Sequence, residues 1–226
     1  MINKHNSTNL YWKKYNLEKD KLIKKIINFN RKSNINYFEN GHFNHTRDLF
    51  ALSLAYLKNK KNNNILDYGS NLLTLCNLNN KIDVRKFKFT IYDPFYEPKE
   101  KIKIKDVNYQ IINNENRIFK NNYDLLHFAS SGQYQKNFLS KIQDLNLNKA
   151  QIILFTHTPF SLDRSYSSIQ SNHNNLTQHV HSYKLLISIL KKKNFNLIFK
   201  SRNDDKYIAC KKKKYKTYSL NLIFKK

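Results

Sequence analysis

Short apolar runs recur along the chain, set between polar stretches and segments of helical period. Residues 65–68 read as a buried strand carrying Asp67, Gly69-Ser70-Asn71 as a tight turn, and Leu72 onward as a helix. Residues 88–93 predict a second strand, which ends on Asp93 before Pro94. Strands are also predicted over 108–112, 123–128 and 151–155. The near-continuous apolar run at 123–128 is the pattern of a parallel strand covered on both faces. It leads through Ser130, Ser131 and Gly132 into a helix ending near Ile142. A further helix is predicted over 182–193, with Leu185, Leu186, Ile189 and Leu190 on one face. Residues 196–201, a turn at 202–205 and residues 206–210 read as a β-hairpin.

The flanks are less regular. Over 10–30, Leu22 and Ile26 are four apart, as are Ile23 and Ile27, which predicts a helix packed on the main body. Its Lys-rich face also suits an anionic membrane surface, although Trp12 is the single Trp. Residues 31–45 read as a polar loop with the aromatic side chains Tyr37, Phe38 and Phe43. A helix follows over 47–58, with Thr46 as a candidate N-cap. Residues 156–181 show no strong periodicity, and a connection of that length is most often functional. The basic tail still holds Leu220, Leu222, Ile223 and Phe224, so it suits a strand or an apolar anchor. Strands alternating with helices predict a doubly wound, mostly parallel α/β sheet closed by an antiparallel hairpin and preceded by a helical extension. The expected organisation is 1–45 as helix and loop, 46–212 as the α/β domain and 213–226 as the tail.

Charge changes this picture little. The formal net charge is +25, but only six of the 41 basic residues are Arg, and they are dispersed. Lysine is a mobile point charge without the planar fork of arginine, so a solvated basic surface is favoured over a nucleic-acid interface. Cys76 and Cys210 lie far apart in apolar contexts and read as reduced structural thiols. The first residues lack an apolar signal core, and no run is long and apolar enough to span a bilayer. These features lead to the expectation of a cytoplasmic protein.

The candidate chemistry gathers where strands are expected to end. A glycine turn opening a helix presents backbone N–H groups to a ligand, and an acid closing the next strand can accept hydrogen bonds from ribose hydroxyls. The residues for this are Asp67, Tyr68, Gly69, Ser70, Asn71, Asp93 and Pro94; a turn that binds no ligand is equally consistent with them. His127 lies inside an apolar strand and reads as a core histidine, whereas His157 follows strand five and suits a general base. His173, His179 and His181 cluster in sequence, but no Cys, Asp or Glu joins them at ligand spacing, so no metal site is expected. Arg164 can pair with an anionic acceptor or brace its loop through Asp163. Thr158 and Gln170 can orient hydroxyls or satisfy loop backbone. Ser130, Ser131 and Gln133 can approach a cofactor or cap the next helix.

This order of elements and motifs resembles the class I S-adenosylmethionine-dependent methyltransferases, whose fold is Rossmann-like. The turn at 65–71 looks like their first cofactor motif, Asp93 like the acid on the cofactor ribose, and Tyr123-Asp-Leu-Leu126 with Ser130 and Ser131 like their fourth motif. Ser131-Gly-Gln133-Tyr134, Thr158-Pro159-Phe160, Asp163-Arg164, Ile169-Gln170 and Ser182-Tyr183 resemble a narrower methyltransferase family of bacterial O-antigen and other surface-polysaccharide gene clusters. The resemblance implies S-adenosylmethionine as cofactor. It implies a sugar, nucleotide-sugar or glycan acceptor, which Gln133, Tyr134, Thr158, Pro159, Phe160, Arg164 and Gln170 would contact. His157 would be the base. Asn71 and Leu73 stand where the family carries glycine, and His157 where it tends to carry Arg. An RNA methyltransferase, suggested by charge, and a degenerate Rossmann-like binding protein, suggested by Asn71 and Leu73, are the alternatives.

Overall fold

The computed structural model describes residues 13–15, 17, 18, 20, 21, 24, 45–57, 62–79, 82–96, 102–104, 106–170, 176–203 and 217–226. The aromatic loop expected at 31–45, but for its last residue, lies outside them, as do His173, Cys210 and the strand expected at 206–210. The chain divides into two units, Met1–Ile118 and Phe119–Lys226.

The first unit is a parallel sheet with helices. Helix α1 (His45–Ala55) precedes β1 (Asn63–Tyr68), α2 (Leu72–Asn79), β2 (Phe87–Tyr92) and β3 (Asn108–Ile112), and a short helix α3 (Asn116–Phe119) follows. Thr46 is the second residue of α1. Strand β2 runs between β1 and β3, parallel to both. Five of the six residues in β1 and in β2 are buried, as the apolar runs require for strands covered on two faces. Phe50 of α1 meets Phe89 of β2 edge-on, with centroids 6.5 Å apart. Cys76 is buried in α2, and burial pushes its thiol up to about 11, so it stays protonated and inert. Residues 13–15, 17, 18, 20, 21 and 24 are helical, and the Tyr96 hydroxyl donates to the Asp20 carboxylate at 2.5 Å.

The second unit is a mixed sheet. It holds β4 (Leu125–Ala129), a tight 3-10 turn (Gly132–Tyr134), α4 (Phe138–Asp144), β5 (Ile152–Ser161), β6 (Tyr166–Gln170), β7 (Leu176–Ser182), α5 (Tyr183–Lys192), β8 (Asn196–Asn203) and β9 (Thr217–Lys225). Ser182 caps α5 by accepting the Leu185 N–H. Strand β9 lies antiparallel along the whole of β5 and also pairs with β8. Strand β8 therefore takes 217–225 as its antiparallel partner, the segment read from sequence as a basic tail.

The largest correction concerns 156–181. Strand β5 continues through Thr158, Pro159 and Phe160, and β6 and β7 form an antiparallel hairpin. Both edges of β5 are used. With β9 on one edge, the other edge carries β4 up to Thr156 and then β7 at Phe160 and Ser161. Pro159, which has no N–H to donate, falls in the gap between those partners. The hairpin escaped the sequence pattern because its buried face is largely polar: Ser168, Gln178 and Ser182 sit where apolar residues would have given alternation.

Candidate functional site

In the first unit the site residues gather at the carboxyl ends of β1 and β2. Tyr68 pairs with Tyr92 in register, so Gly69 comes beside Asp93. Gly69 adopts φ 77°, a left-handed conformation that favours glycine, and its N–H donates to the Tyr92 carbonyl at 2.6 Å. Asp67 is fully buried beneath this turn, and Ser70 is also buried. The Ser70 hydroxyl lies 2.7 Å from that of Thr74. Asn71 Oδ1 accepts the Leu73 N–H at 3.1 Å, so the Asn71 side chain caps the start of α2. Asp93 is half-buried, and its Oδ1 accepts the Phe95 N–H at 2.7 Å, which fixes the carboxylate in an Asx turn. Pro94 is exposed beside it.

Tyr92 and Glu115, the neighbours of the expected Tyr68, escaped the sequence reading of this edge. The rings of Tyr68 and Tyr92 have centroids 4.6 Å apart, and the Tyr68 hydroxyl donates to Glu115. Burial raises the Tyr92 phenol, and the carboxylates of Glu115 and Asp93 raise it further, so this ring stays neutral. Tyrosine ending two adjacent strands was the available sequence signal.

In the second unit the site residues meet where β4 ends and β5 kinks. Ser130 has φ 52° and His157 has φ 49°, two non-glycine residues in the left-handed region. They are tied together: the Ser130 N–H donates to the Thr156 carbonyl at 3.0 Å and its hydroxyl to the His157 carbonyl at 3.3 Å. The His157 N–H donates to Asn221 Oδ1 at 3.0 Å, and the Thr158 hydroxyl to the Thr156 carbonyl at 3.2 Å. Backbone held in sparsely populated regions concentrates at functional sites. Asn221 is fully buried, and its Nδ2 donates to Ser201 Oγ at 3.1 Å. A lone Asn in the apolar run 220–224 was its signal in the sequence.

The remaining residues separate. His127 is buried and bonded to Thr156 Oγ1 at 2.9 Å, as befits a core histidine. Gln133 is buried and Tyr134 half-buried in the turn after β4, next to the half-buried Ser131. Pro159 is buried in β5, and Phe160 is fully buried among Phe155 and Tyr183. Arg164 is exposed; the partner of Asp163 is Lys184, at 2.5 Å, which replaces the expected Asp163–Arg164 brace. Gln170 ends β6 opposite Leu176. His181 is buried, its Nε2–H donates to the Gly132 carbonyl at 2.9 Å, and its ring lies 5.3 Å from that of Phe138. Among the described residues no cluster of three metal-ligating side chains occurs.

No protein-family model matches the chain, and no curated protein matches it by sequence. Solved structures do match its fold. One is magnesium protoporphyrin IX methyltransferase from Synechocystis PCC 6803 with bound SAH, at 10% identity and TM-score 0.51, covering 84% of this chain and 90% of that one. Another is coclaurine N-methyltransferase bound to N-methylheliamine and SAH, at 8% identity and TM-score 0.52, covering 83% of this chain and 75% of that one. The fold is thus the Rossmann-like α/β architecture of these proteins, mostly parallel with antiparallel C-terminal strands.

Proposed function

We propose that the chain is an S-adenosylmethionine-dependent methyltransferase acting on a sugar or glycan acceptor. The observation that carries the cofactor is the edge of β1 and β2, where the left-handed Gly69 turn stands beside the oriented Asp93 carboxylate. The residues suit a nucleoside: the half-buried Asp93 carboxylate can accept hydrogen bonds from ribose hydroxyls, Pro94 offers an exposed apolar surface, and the turn at Gly69 and Ser70 leaves room for close backbone approach. Both fold neighbours named above are methyltransferases solved with SAH, which supports the same cofactor here. Bound there, the cofactor supplies an electrophilic methyl group.

The chain's own part in the reaction is to align the acceptor and take its proton. His157 is the candidate base: it is half-buried and fixed by Ser130 and Asn221 through its backbone. Thr158, Gln133, Tyr134 and Arg164 are candidate acceptor contacts. The sugar acceptor draws its support from the order of motifs from Ser131 to Tyr183.

Asn71 favours one other reading. Its side chain already uses the Leu73 N–H that a ligand at the start of α2 could have taken. A domain of this fold that has lost its cofactor and serves as a binding protein would keep such a cap.

Calorimetric titration with S-adenosylmethionine and S-adenosylhomocysteine separates the two. A methyltransferase is expected to bind in the micromolar range, about −8 kcal/mol. Asp93→Ala should weaken that affinity roughly ten- to a hundredfold by removing a charged acceptor. An unchanged affinity would remove Asp93 from the site, and no binding by the folded wild type would favour the binding-protein reading.

A further inference from the structure

The sheet of the second unit has two unlike faces. One carries Phe155, Phe160, Phe224 and His181, packed with Phe138 of α4. The other face is polar and yet shielded from water. Ser161 of β5 pairs with Thr217 on β9 and with Ser182 on β7. Alternation along each strand then places Ser219, Asn221, Val180 and Gln178 on the same face. The pairs Tyr166 with Val180 and Ser168 with Gln178 extend it onto β6. A hydrogen bond between the Tyr166 and Thr217 hydroxyls runs across it, an independent sign that these strands share this face.

Most of its polar groups serve the fold. Ser161 donates to the Arg164 carbonyl, Ser182 caps α5, Tyr166 and Thr217 satisfy each other, and Asn221 holds the His157 kink. Three side chains are left over. Ser168 is 8% exposed, Ser219 is 7% exposed and Gln178 is fully buried. Among the described residues neither hydroxyl, and neither end of the Gln178 amide, has a hydrogen-bond partner. A buried polar group without a partner is costly, and native proteins tolerate few of them. Val180, the next residue on this face of β7, shows that an aliphatic side chain fits there.

We propose that this face is the acceptor-recognition surface, with Gln178, Ser168 and Ser219 donating to and accepting from the hydroxyls of an uncharged polyol such as a sugar ring. Gln178 offers both a donor and an acceptor, and the serine hydroxyls can serve as either. None of the strand residues named on this face carries a charge, so a phosphate or carboxylate finds no counter-ion among them. Only the word "acceptor" rests on the methyltransferase reading. The site itself rests on the shared face, the burial and the missing partners.

The test is saturation-transfer NMR on the full chain, with a panel of neutral methyl glycosides and the matching sugar phosphates. Wild type, Gln178→Leu and Ser168→Ala are compared, and thermal melts check folding. At least one neutral glycoside should bind wild type, about tenfold weaker to Gln178→Leu and measurably weaker to Ser168→Ala, while titration with S-adenosylhomocysteine is unchanged. The proposal is overturned if folded wild type binds no neutral glycoside or binds sugar phosphates alone. It is equally overturned if both variants bind as wild type does, which would make the Ser168–Gln178 pair an internal packing feature. Glycoside binding without homocysteine-cofactor binding would keep the site and remove the methyltransferase reading; the converse result would do the opposite.

Discussion

His181 shows how one side chain links burial, tautomer and pH. Its Nε2 must carry the proton, because it faces the Gly132 carbonyl. Burial pushes the imidazole down to about 4; the carbonyl bond pulls it partly back, and His179 pushes it lower. The folded state therefore holds a neutral ring, while the unfolded chain would protonate it near the ordinary 6.5. Its contribution to stability is fully present above that ordinary value and is lost as pH falls toward 4. Between pH 7.5 and pH 4 the loss amounts to about 3 kcal/mol. Urea unfolding across this range is expected to slope more steeply for wild type than for His181→Gln. Equal slopes would mean that the ring is solvated in the folded chain.

Among the elements, β9 carries the most. It is the central strand between β5 and β8, and Asn221 at its middle holds the kink at His157. Asn221→Leu keeps the branched shape and heavy-atom count but removes the acceptor for one N–H and the donor to Ser201. A loss of about 2 kcal/mol in urea unfolding is expected, together with a shift of the His157 amide resonance. A change confined to stability, with that resonance unmoved, would show that the kink is held by the rest of β5. The sequence foretold β1 to β4, the start of β5 and the helix after Ser182, because there apolar runs, glycine turns and caps agree. It misplaced the partner of β8, since lysines flank the apolar run of β9 on both sides. It missed the β6–β7 hairpin for a different physical reason, an interior face built from Ser and Gln. The Gly69 turn and the strand end at Asp93 were legible, because both are set by local geometry. Asn221 and Gln178 act through register, which no local pattern encodes.

At the scale of the whole molecule the charge dominates. A formal net charge of +25 on 226 residues is self-repelling. Among the described residues the exposed ion pairs include Arg85 with Asp83 and Lys184 with Asp163, and such pairs contribute little. Raising salt shortens the reach of the repulsion to about 10 Å at 0.1 M. The melting temperature is therefore expected to rise between low and moderate sodium chloride. A fall would mean that attractive pairs outweigh the net repulsion.

The shared edge of β5 has one more consequence. Strand β7 joins that edge at two register positions only, Phe160 and Ser161, and β6 hangs from β7. The hairpin is thus a flap hinged along a short seam, with the His181 bond to Gly132 as its latch. Lifting it breaks few ladder bonds and leaves β4, β5, β9 and β8 paired. Exposing the shielded polar face would therefore break one seam, the latch and the Tyr166–Thr217 hydroxyl bond, while the rest of the sheet stands as the frame.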